Sequence, residues 1–462
     1  MLPSWSGAVK SGIKLPKPHN ILIIIFIRKK IFNLSKKRYI CERKASLFER
    51  HIILTGVNVR ASLKLRHFLS STTELTPTWF EKNSWAYSLE CATGSRRPQG
   101  ADRRDKPTFV MYNLSDVFRE IASIPAPSGY EQSIRASLMR LVSSYVDEYK
   151  VDIQGNLICY RHGSCVSRHQ TIMFVAHMDE IGMMVSYIED SGYIRFAGIG
   201  GVDFMSYKGR NVKILHENTE VRGVIGARPV HMMRKGWDNK DFDDSCLWID
   251  IGLTGKEDVE KLVSVGDCII LDSLFVEMPN SLISSRGCDN KAGVLTLLRM
   301  LELIKDIDCE SDIVIVFSVQ EETGLRGAKT ASYSVAPDIC ISVDVVHATD
   351  YPTVNKSKYG DIRVGNGPVI PIGSDFTSSV QHDLKDLSEQ MSIKTQSLAM
   401  SGVSGTDSGA VQVIRAGCAT GLVGIPCRYM HAPIEIVSLK DIENASLVVA
   451  EFCKTKISEN EY

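Results

Sequence analysis

The stretch SDIVIVFSVQEETGLRG, residues 311–327, constrains the fold of this chain more than any other. Its apolar run Ile313 to Val319 predicts a buried strand, which is followed by the pair Glu321 and Glu322. Open α/β sheets bind ligands at the carboxyl ends of their strands, where two adjacent carboxylates repel each other unless cations or protons compensate them. The stretch therefore predicts an α/β core with a metal site, although an isolated Glu-Glu pair is more often a solvated helix start.

Comparable side chains follow the other predicted strands, or begin a helix beside one. They are His177 and Asp179 after the strand Thr171 to Ala176, Asp289 before the apolar helix around Val294 to Ile304, Asp344 after the strand Ile339 to Val343, and His431 in the loop after the strand Gly421 to Ile425. So many metal-binding residue types at one edge of a sheet are improbable by chance, so they predict a single site.

The chemistry of this set favours divalent metal ions. His177, Asp289, Glu322, Asp344 and His431 supply two imidazoles and three carboxylates, which suit Zn²⁺, Co²⁺ or Mn²⁺ and lack the thiolates of a structural zinc site. Three carboxylates against two divalent ions leave about one net positive charge, which would pull a bridging water toward hydroxide.

Two acids beside these ligands have other expected tasks. Glu321 is adjacent to a ligand without being needed as one, so it would take a proton from the water and pass it to a leaving amine. Asp179 follows His177 in an HxD pair, where it would accept the second ring N–H and fix the tautomer.

The domain organisation follows from a change of pattern along the chain. Residues 184–282 contain short alternating stretches between Gly, Asn and Asp turns, which predict an inserted β-barrel or sandwich. Residues 111–183 and 283–462 show strands alternating with helices, which predicts one α/β domain with a mixed sheet and flanking helices.

Residues 1–110 differ from the rest and are predicted to be a disordered or dispensable leader. They carry 21 Lys and Arg against 7 Asp and Glu, whereas residues 111–462 carry 33 against 47. An acid-poor basic leader leaves an organellar transit peptide open, although no nucleic-acid motif appears, and the apolar run Ile21 to Ile27 is too short for a membrane span. The 12 cysteines include no CxxC pair, which favours a reducing compartment such as the cytoplasm.

Six segments resemble, in order and spacing, the motifs of the M42 family of metallo-aminopeptidases, the tetrahedral glutamyl, lysyl and leucyl aminopeptidases. They are AHMDEIGMMV, RGCDNKAGV, QEETGLRGA, SVDVVHA, GTDSGA and IPCRYMHAPIEIVSLKDIENAS. The resemblance runs from about residue 112 to the C-terminus. It implies an enzyme that uses two divalent metal ions to remove N-terminal residues from short peptides. Zn²⁺ or Co²⁺ are the expected metals.

The resemblance also implies roles and an assembly. Asp289 would bridge the two metals, with His177 and Asp344 completing one site and Glu322 and His431 the other. Glu321 would be the general base, and Asp179 would orient His177. The inserted domain would mediate dimerisation, and the dimers would build a dodecamer.

Two other functions stay open. A carboxypeptidase or N-acyl amidohydrolase similar to the M20 or M28 families would share the two-metal chemistry, but in those families the bridging Asp usually follows the HxD closely, whereas His177 and Asp289 are 112 positions apart. A non-catalytic assembly protein with the same fold would be expected to lose some of the ligands, and all of them are present here.

Overall fold

The computed structural model describes residues 113–165, 170–232 and 244–454, so the predicted leader lies outside the described residues. The strands are β1 Glu148–Val151, β2 Leu157–Arg161, β3 Thr171–His177, β4 Gly182–Ile188, β5 Ile194–Ile199, β6 Asn211–His216, β7 Thr219–Ala227, β8 Leu247–Asp250, β9 Cys268–Leu271, β10 Val276–Met278, β11 Leu282–Ser285, β12 Asp312–Ser318, β13 Ile339–His347, β14 Val369–Gly373, β15 Gln396–Met400, β16 Ala419–Cys427 and β17 Glu435–Ser438. The helices are α1 Leu114–Ser123, α2 Gln132–Val142, α3 Phe204–Tyr207, α4 Lys256–Val259, α5 Cys288–Leu303, α6 Arg326–Val335, α7 Lys356–Tyr359, α8 Ser378–Gln390, α9 Asp407–Gln412 and α10 Leu439–Phe452. In these described ranges, none of the helices has the length and apolar character needed to span a membrane.

Eight strands form one mixed sheet in the order β1-β2-β12-β3-β13-β16-β14-β15. The central strands β12, β3, β13 and β16 are parallel to one another. Antiparallel pairing joins β2 to β12 on one side and β14 to β16 on the other. The predicted α/β core with a mixed sheet is therefore confirmed.

Helices cover both faces of this sheet, because side chains alternate along its central strands. One face packs against α5 through Phe174, Ile315 and Ile341, which share a buried cluster with Leu295 and Leu298. The opposite face packs against α6 and α9 through Met173, Val316, Cys340, Ala328 and Val411. Each fully buried side chain of this size contributes roughly 1.5–3 kcal/mol, so these apolar layers, and not the charged edge, stabilise the core.

Six further strands close into a barrel in the order β4-β5-β8-β7-β6-β9. Its apolar core, which includes Val185 and Ile249, is separate from that of the sheet. The barrel strands run from Gly182 to Leu271, after β3 and before α5 in the chain. The predicted inserted barrel is confirmed, while its boundaries at 184 and 282 and its part in dimerisation stay predictions.

A small antiparallel sheet of β10, β11 and β17 connects distant parts of the chain. Ser285 at the end of β11 lies opposite Glu435 at the start of β17. This pairing brings the segment before Asp289 next to the segment after His431.

The strand that carries Asp344 is longer than its sequence pattern indicated. β13 continues to His347, so Asp344 lies within the strand and not after it. Pairing with β3 ends at Ser342, whereas pairing with β16 continues to His347. Asp344 therefore lies where β13 has a neighbour on one side only, at the carboxyl edge of β3.

Candidate metal centre

The predicted ligands come together at the carboxyl edge of the parallel strands. Ligand atoms of His177, Glu321 and Asp344 lie within 4.8 Å of one another, and so do those of Asp289, Glu322 and His431. Asp289 joins the two groups, because its Oδ1 is 3.1 Å from His177 Nε2 and its Oδ2 is 3.4 Å from His431 Nε2. The two groups therefore form one centre.

Parallel pairing explains why distant segments meet in the first group. β12 and β3 place Ser318 beside His177, so the chain leaves both strands at the same level. Three residues later, Glu321 Oε2 lies 3.9 Å from His177 Nε2. From the other side of β3, Asp344 Oδ1 lies 3.6 Å from the same nitrogen.

Asp179 contacts both the histidine and the glutamate pair. Its carbonyl oxygen lies 3.2 Å, and its Oδ1 3.6 Å, from His177 Nδ1. Its carboxylate oxygens also accept the backbone N–H groups of Glu321 at 3.1 Å and Glu322 at 3.2 Å. Asp179 is fully buried, so it connects the HxD segment to the turn that carries the two glutamates. The sequence predicted that the Asp179 carboxylate accepts the ring N–H of His177, whereas the nearest acceptor is the Asp179 carbonyl oxygen. The contacts with the glutamate pair were not predicted.

The barrel orients His431. This residue has a φ of 63°, and its Nδ1 lies 3.0 Å from the carbonyl oxygen of Gly201, just after β5. A carbonyl oxygen accepts a hydrogen bond, so the contact favours the tautomer with its proton on Nδ1. Nε2 is then free to bind a metal, and it faces Asp289 and Glu322, each at 3.4 Å.

The carboxyl groups of the centre are crowded and largely removed from water. Burial raises the pKa of Glu321 to about 10, with His177 opposing the rise and Asp344 and Asp407 adding to it. Burial also raises the pKa of Glu322 and that of Asp344. In the metal-free protein, protons therefore compensate part of the repulsion among these groups.

The same crowding favours the protonated, cationic form of the two imidazoles. Burial alone would lower the pKa of His177, but Glu321 and the other surrounding carboxyls raise it well above its ordinary value. Hydrogen bonds to Asp289 and Glu322 raise the pKa of His431 to about 11. The carboxyls thus give the centre a strong affinity for positive charge.

These residues fit divalent cations. The Oε1 atom of Glu322 is buried without a hydrogen-bond partner, which costs free energy unless a cation approaches it. The two groups offer imidazole nitrogens and carboxylate oxygens within 4.8 Å, the donors that Zn²⁺, Co²⁺ and Mn²⁺ accept. Metal ions at this centre would replace the protons that the crowded groups otherwise retain.

Two further buried carboxyls lie at the centre but were not among the predicted site residues. Glu435 accepts backbone N–H groups from Asp289 at 3.0 Å and from His431 at 2.9 Å. Asp407 accepts a hydrogen bond from the Ser318 hydroxyl at 2.7 Å, while its Oδ1 is buried without a partner. Burial raises the pKa of Asp407 to about 7 and that of Glu435 to about 8. Both residues lie inside segments that resemble M42 motifs, which is the signal that the sequence offers for them.

A buried ion cluster fixes the segments around the centre. Glu180 accepts hydrogen bonds from Arg286, from Lys291 Nζ at 3.0 Å and from the backbone N–H of Ala126 at 2.9 Å. Lys291 also donates to the carbonyl oxygen of Ile124 at 3.0 Å. Although burial opposes it, the two cations lower the pKa of Glu180 to about 2. The cluster therefore holds an ionised carboxylate in the interior and connects three separate chain segments.

An open cleft of about 320 Å³ lies beside the centre, between the core and the barrel. Its walls include Ser128, Gly198, Gln320, Thr323 and Arg326. Gly200, also in its wall, lies against the centre, since a Cβ atom built on it would be 3.2 Å from Cβ of Glu322. The cleft therefore adjoins the Glu322 side of the centre.

Known proteins are similar to this chain in sequence and in fold. The family model described as M42 glutamyl aminopeptidase matches residues 155–447. The lysyl aminopeptidase of Pyrococcus furiosus is 31% identical over 333 residues, which cover 71% of this chain and 93% of that protein. Aminopeptidase APDkam598 of Desulfurococcus kamchatkensis is 35% identical, with a TM-score of 0.69 over 74% of this chain and 95% of that one. The TET1 peptidase of Pyrococcus horikoshii, which can assemble into a tetrahedron or a large octahedral shell, is 29% identical, with a TM-score of 0.66 over 74% of this chain and 100% of that one.

The family model spans more than half of the chain, and it includes all the residues that meet at the centre. The resemblance noted in the six motifs is therefore confirmed by whole-domain similarity in both sequence and fold. This chain belongs to the M42 family and is a metal-dependent aminopeptidase.

Proposed function

We propose that this aminopeptidase binds two divalent metal ions in one centre and removes N-terminal residues from short peptides. The position of Asp289 carries the proposal, because its two oxygens face His177 and His431 at 3.1 and 3.4 Å. A carboxylate with this placement suits a ligand shared by two ions. His177 and Asp344 would hold one ion, and Glu322 and His431 the other.

In this proposal, Glu321 is the general base. The metal ions, when bound, supply Lewis acidity that polarises the scissile carbonyl and activates water. Glu321 takes the proton from the attacking water and gives it to the leaving amine. Asp179 supports this task, since it holds the backbone of Glu321 and contacts His177. Glu321 is also near enough to His177 and Asp344 to be a ligand, and the metal content of a Glu321 variant distinguishes the two roles.

The centre also suits an amino-terminal substrate. A free α-amino group is cationic near neutral pH, and the centre contains more carboxyl groups than imidazoles. A carboxyl beside the centre that is assigned neither to a metal nor to proton transfer, such as Asp407 with its unpartnered Oδ1, would therefore hold the amino group of a peptide whose end enters the cleft. The carboxypeptidase and N-acyl amidohydrolase alternatives need no such free amine.

The full-length, metal-loaded protein should be tested on aminoacyl chromogenic amides, free peptides and the same peptides with acetylated N-termini. We expect release of single N-terminal residues from the free substrates and at least tenfold slower cleavage of the acetylated ones. Cleavage of acetylated peptides alone would support the amidohydrolase, and release from the carboxyl end would support the carboxypeptidase.

We also propose that the barrel mediates dimerisation and that the dimers build a dodecamer. The TET1 peptidase supports assembly, and the barrel exposes large apolar side chains, including Tyr187 at 52%, Met205 at 49% and Val224 at 44%. Exposed apolar groups of this size suit contact with a partner. Mass measurement in solution tests the proposal, because a monomer at micromolar concentration with metal present would contradict it.

The cytoplasm is the proposed compartment. The cysteines of the described residues are free thiols, as expected in a reducing environment. Fractionation of cells that express the tagged full chain tests this proposal. Recovery in an organelle would instead assign residues 1–110 a targeting role.

A further inference from the structure

Glu435 is a buried carboxylate between two segments that carry metal-binding residues. It is the first residue of β17 and lies opposite Ser285 of β11, with only 2% of its surface exposed. β11 leads into Asp289, and β17 begins four residues after His431. Glu435 therefore lies at the junction of both segments.

Each oxygen of Glu435 accepts one backbone hydrogen bond from a metal-binding residue. Oε2 accepts the N–H of Asp289 at 3.0 Å, and Oε1 accepts the N–H of His431 at 2.9 Å. Neither donor has regular backbone geometry, because Asp289 has non-helical φ and ψ of −77° and 107° and His431 has a φ of 63°. Regular secondary structure does not fix these two backbones, so the carboxylate of Glu435 supplies that constraint.

The charge of Glu435 is not balanced by an ion pair. Across the described ranges, Glu435 forms no ion pair with Lys or Arg, and Arg286 and Lys291 bind Glu180 instead. Burial of a carboxylate without a cation costs free energy. A carboxylate is, however, the side chain that offers two acceptor oxygens and no donor, as two converging N–H groups require.

On the basis of the two-metal function proposed above, we propose that Glu435 is a positioning residue for the ion held by Glu322 and His431. It fixes the backbones of Asp289 and His431 relative to each other, so that both side chains reach the same ion. His177 and Asp344 lie on strands whose backbones are hydrogen-bonded in the sheet, so their ion depends on Glu435 only through Asp289. Loss of Glu435 should weaken one ion much more than the other.

The test compares Glu435→Gln with Asp441→Asn. Gln keeps the shape of Glu but presents an amide donor to one of the two N–H groups. Asp441 is a matched control, because it is also fully buried and accepts two backbone N–H groups, from Gly365 at 2.6 Å and Gly367 at 2.7 Å, neither of which is a metal-binding residue. Full-length, metal-free proteins would be titrated with Co²⁺, followed by visible absorption and by competition with a chromophoric chelator.

We expect Glu435→Gln to bind the Co²⁺ ion of Glu322 and His431 about 10- to 100-fold more weakly than wild type does. Its affinity for the Co²⁺ ion of His177 and Asp344 should change little. Asp441→Asn should bind both ions as wild type does, even where its melting temperature falls. Equal affinities in wild type and Glu435→Gln would overturn the proposal. Equal weakening of both ions, in parallel with lost thermal stability, would show a purely architectural role and would also overturn it.

Two further outcomes are informative. If Glu435→Gln does not fold, Glu435→Asp replaces it, since its shorter side chain keeps the charge and cannot reach both N–H groups. Wild-type affinities in Glu435→Asp would overturn the proposal. Failure of both variants to fold, while Asp441→Asn folds, would also overturn it. If wild type itself binds fewer than two Co²⁺ ions, the two-metal function fails, whatever the variants do.

Discussion

His431 contacts the backbone of Gly201, whose carbonyl oxygen lies 3.0 Å from the imidazole Nδ1. Gly201 follows β5 of the barrel, whereas Asp289 and Glu322, which face the Nε2 atom of the same imidazole, belong to the sheet domain. The barrel therefore contributes directly to the centre, besides any part that it has in assembly.

Gly201→Ala should impair metal binding. A Cβ atom at this position would lie 2.9 Å from His431 Nδ1, so the imidazole would have to leave its present position facing Asp289 and Glu322. A ligand displacement approaching 1 Å can reduce activity by about 10²-fold. We expect a fall of this order in kcat/KM, with lower metal content by elemental analysis. Gly402→Ala is the control, because a Cβ there has open space, and a similar loss in the control would rule out the specific contact.

Glu321→Gln should separate the general base from the ligands. The substitution removes the proton acceptor but preserves the shape of the side chain, so kcat should fall by about 10²- to 10⁴-fold. Metal content should stay at the wild-type level. Loss of metal from this variant would instead identify Glu321 as a ligand, as its proximity to His177 and Asp344 allows.

Glu322→Gln should have the complementary effect. Glu322 Oε2 lies 3.4 Å from His431 Nε2, and its other oxygen is buried without a partner, so the variant should lose occupancy of one ion. Excess Zn²⁺ or Co²⁺ should restore part of the activity. Activity and metal content that both match wild type would show that the centre has been assigned to the wrong residues.

Asp179→Asn should reduce both metal affinity and kcat. The carboxylate accepts two consecutive backbone N–H groups, those of Glu321 and Glu322, and an amide side chain has only one acceptor oxygen for them. Loss of such a supporting contact typically reduces metal affinity by 10- to 100-fold. Metal titration beside steady-state kinetics measures both effects. Unchanged values for both would leave Asp179 without a role at the centre.

Metal binding should release protons and strengthen as pH rises. In the metal-free protein, burial raises the pKa of Glu321 to about 10, and hydrogen bonds to Asp289 and Glu322 raise that of His431 to about 11. Between pH 6 and 9 these groups hold protons that an incoming ion displaces, so apparent affinity should rise by up to about tenfold per pH unit for each displaced proton. Calorimetry in buffers of different ionisation enthalpy measures the release, and a buffer-independent enthalpy would contradict it.

The sequence predicted the parts of the site that depend on local patterns. His177 and Glu321 follow apolar runs whose strand character is plain from a few residues, and the inserted barrel follows from regularly spaced turns. Asp344 was placed one step wrongly, because the end of β13 depends on β16, a neighbour about 80 positions away. Local periodicity contains no information on that pairing.

The contacts of Glu435 and Lys291 were beyond sequence reasoning for a different reason. A buried Glu and a buried Lys look like surface residues in a single sequence, because burial of a charge is rare and depends on partners elsewhere in the chain. The partners here are backbone N–H groups for Glu435 and the carboxylate of Glu180 for Lys291. Only the assembled fold brings these groups together.

The order of strands in the sheet has a consequence for the newly made protein. His177 is translated long before His431, and the loop that carries His431 follows β16, the strand that pairs with β13. A nascent chain that has not yet been translated as far as His431 therefore lacks the last ligand and should have no peptidase activity while the polypeptides around it are unfolded and open to attack. Translation through β16 and His431 would then separate the synthesis of this enzyme from the start of its activity.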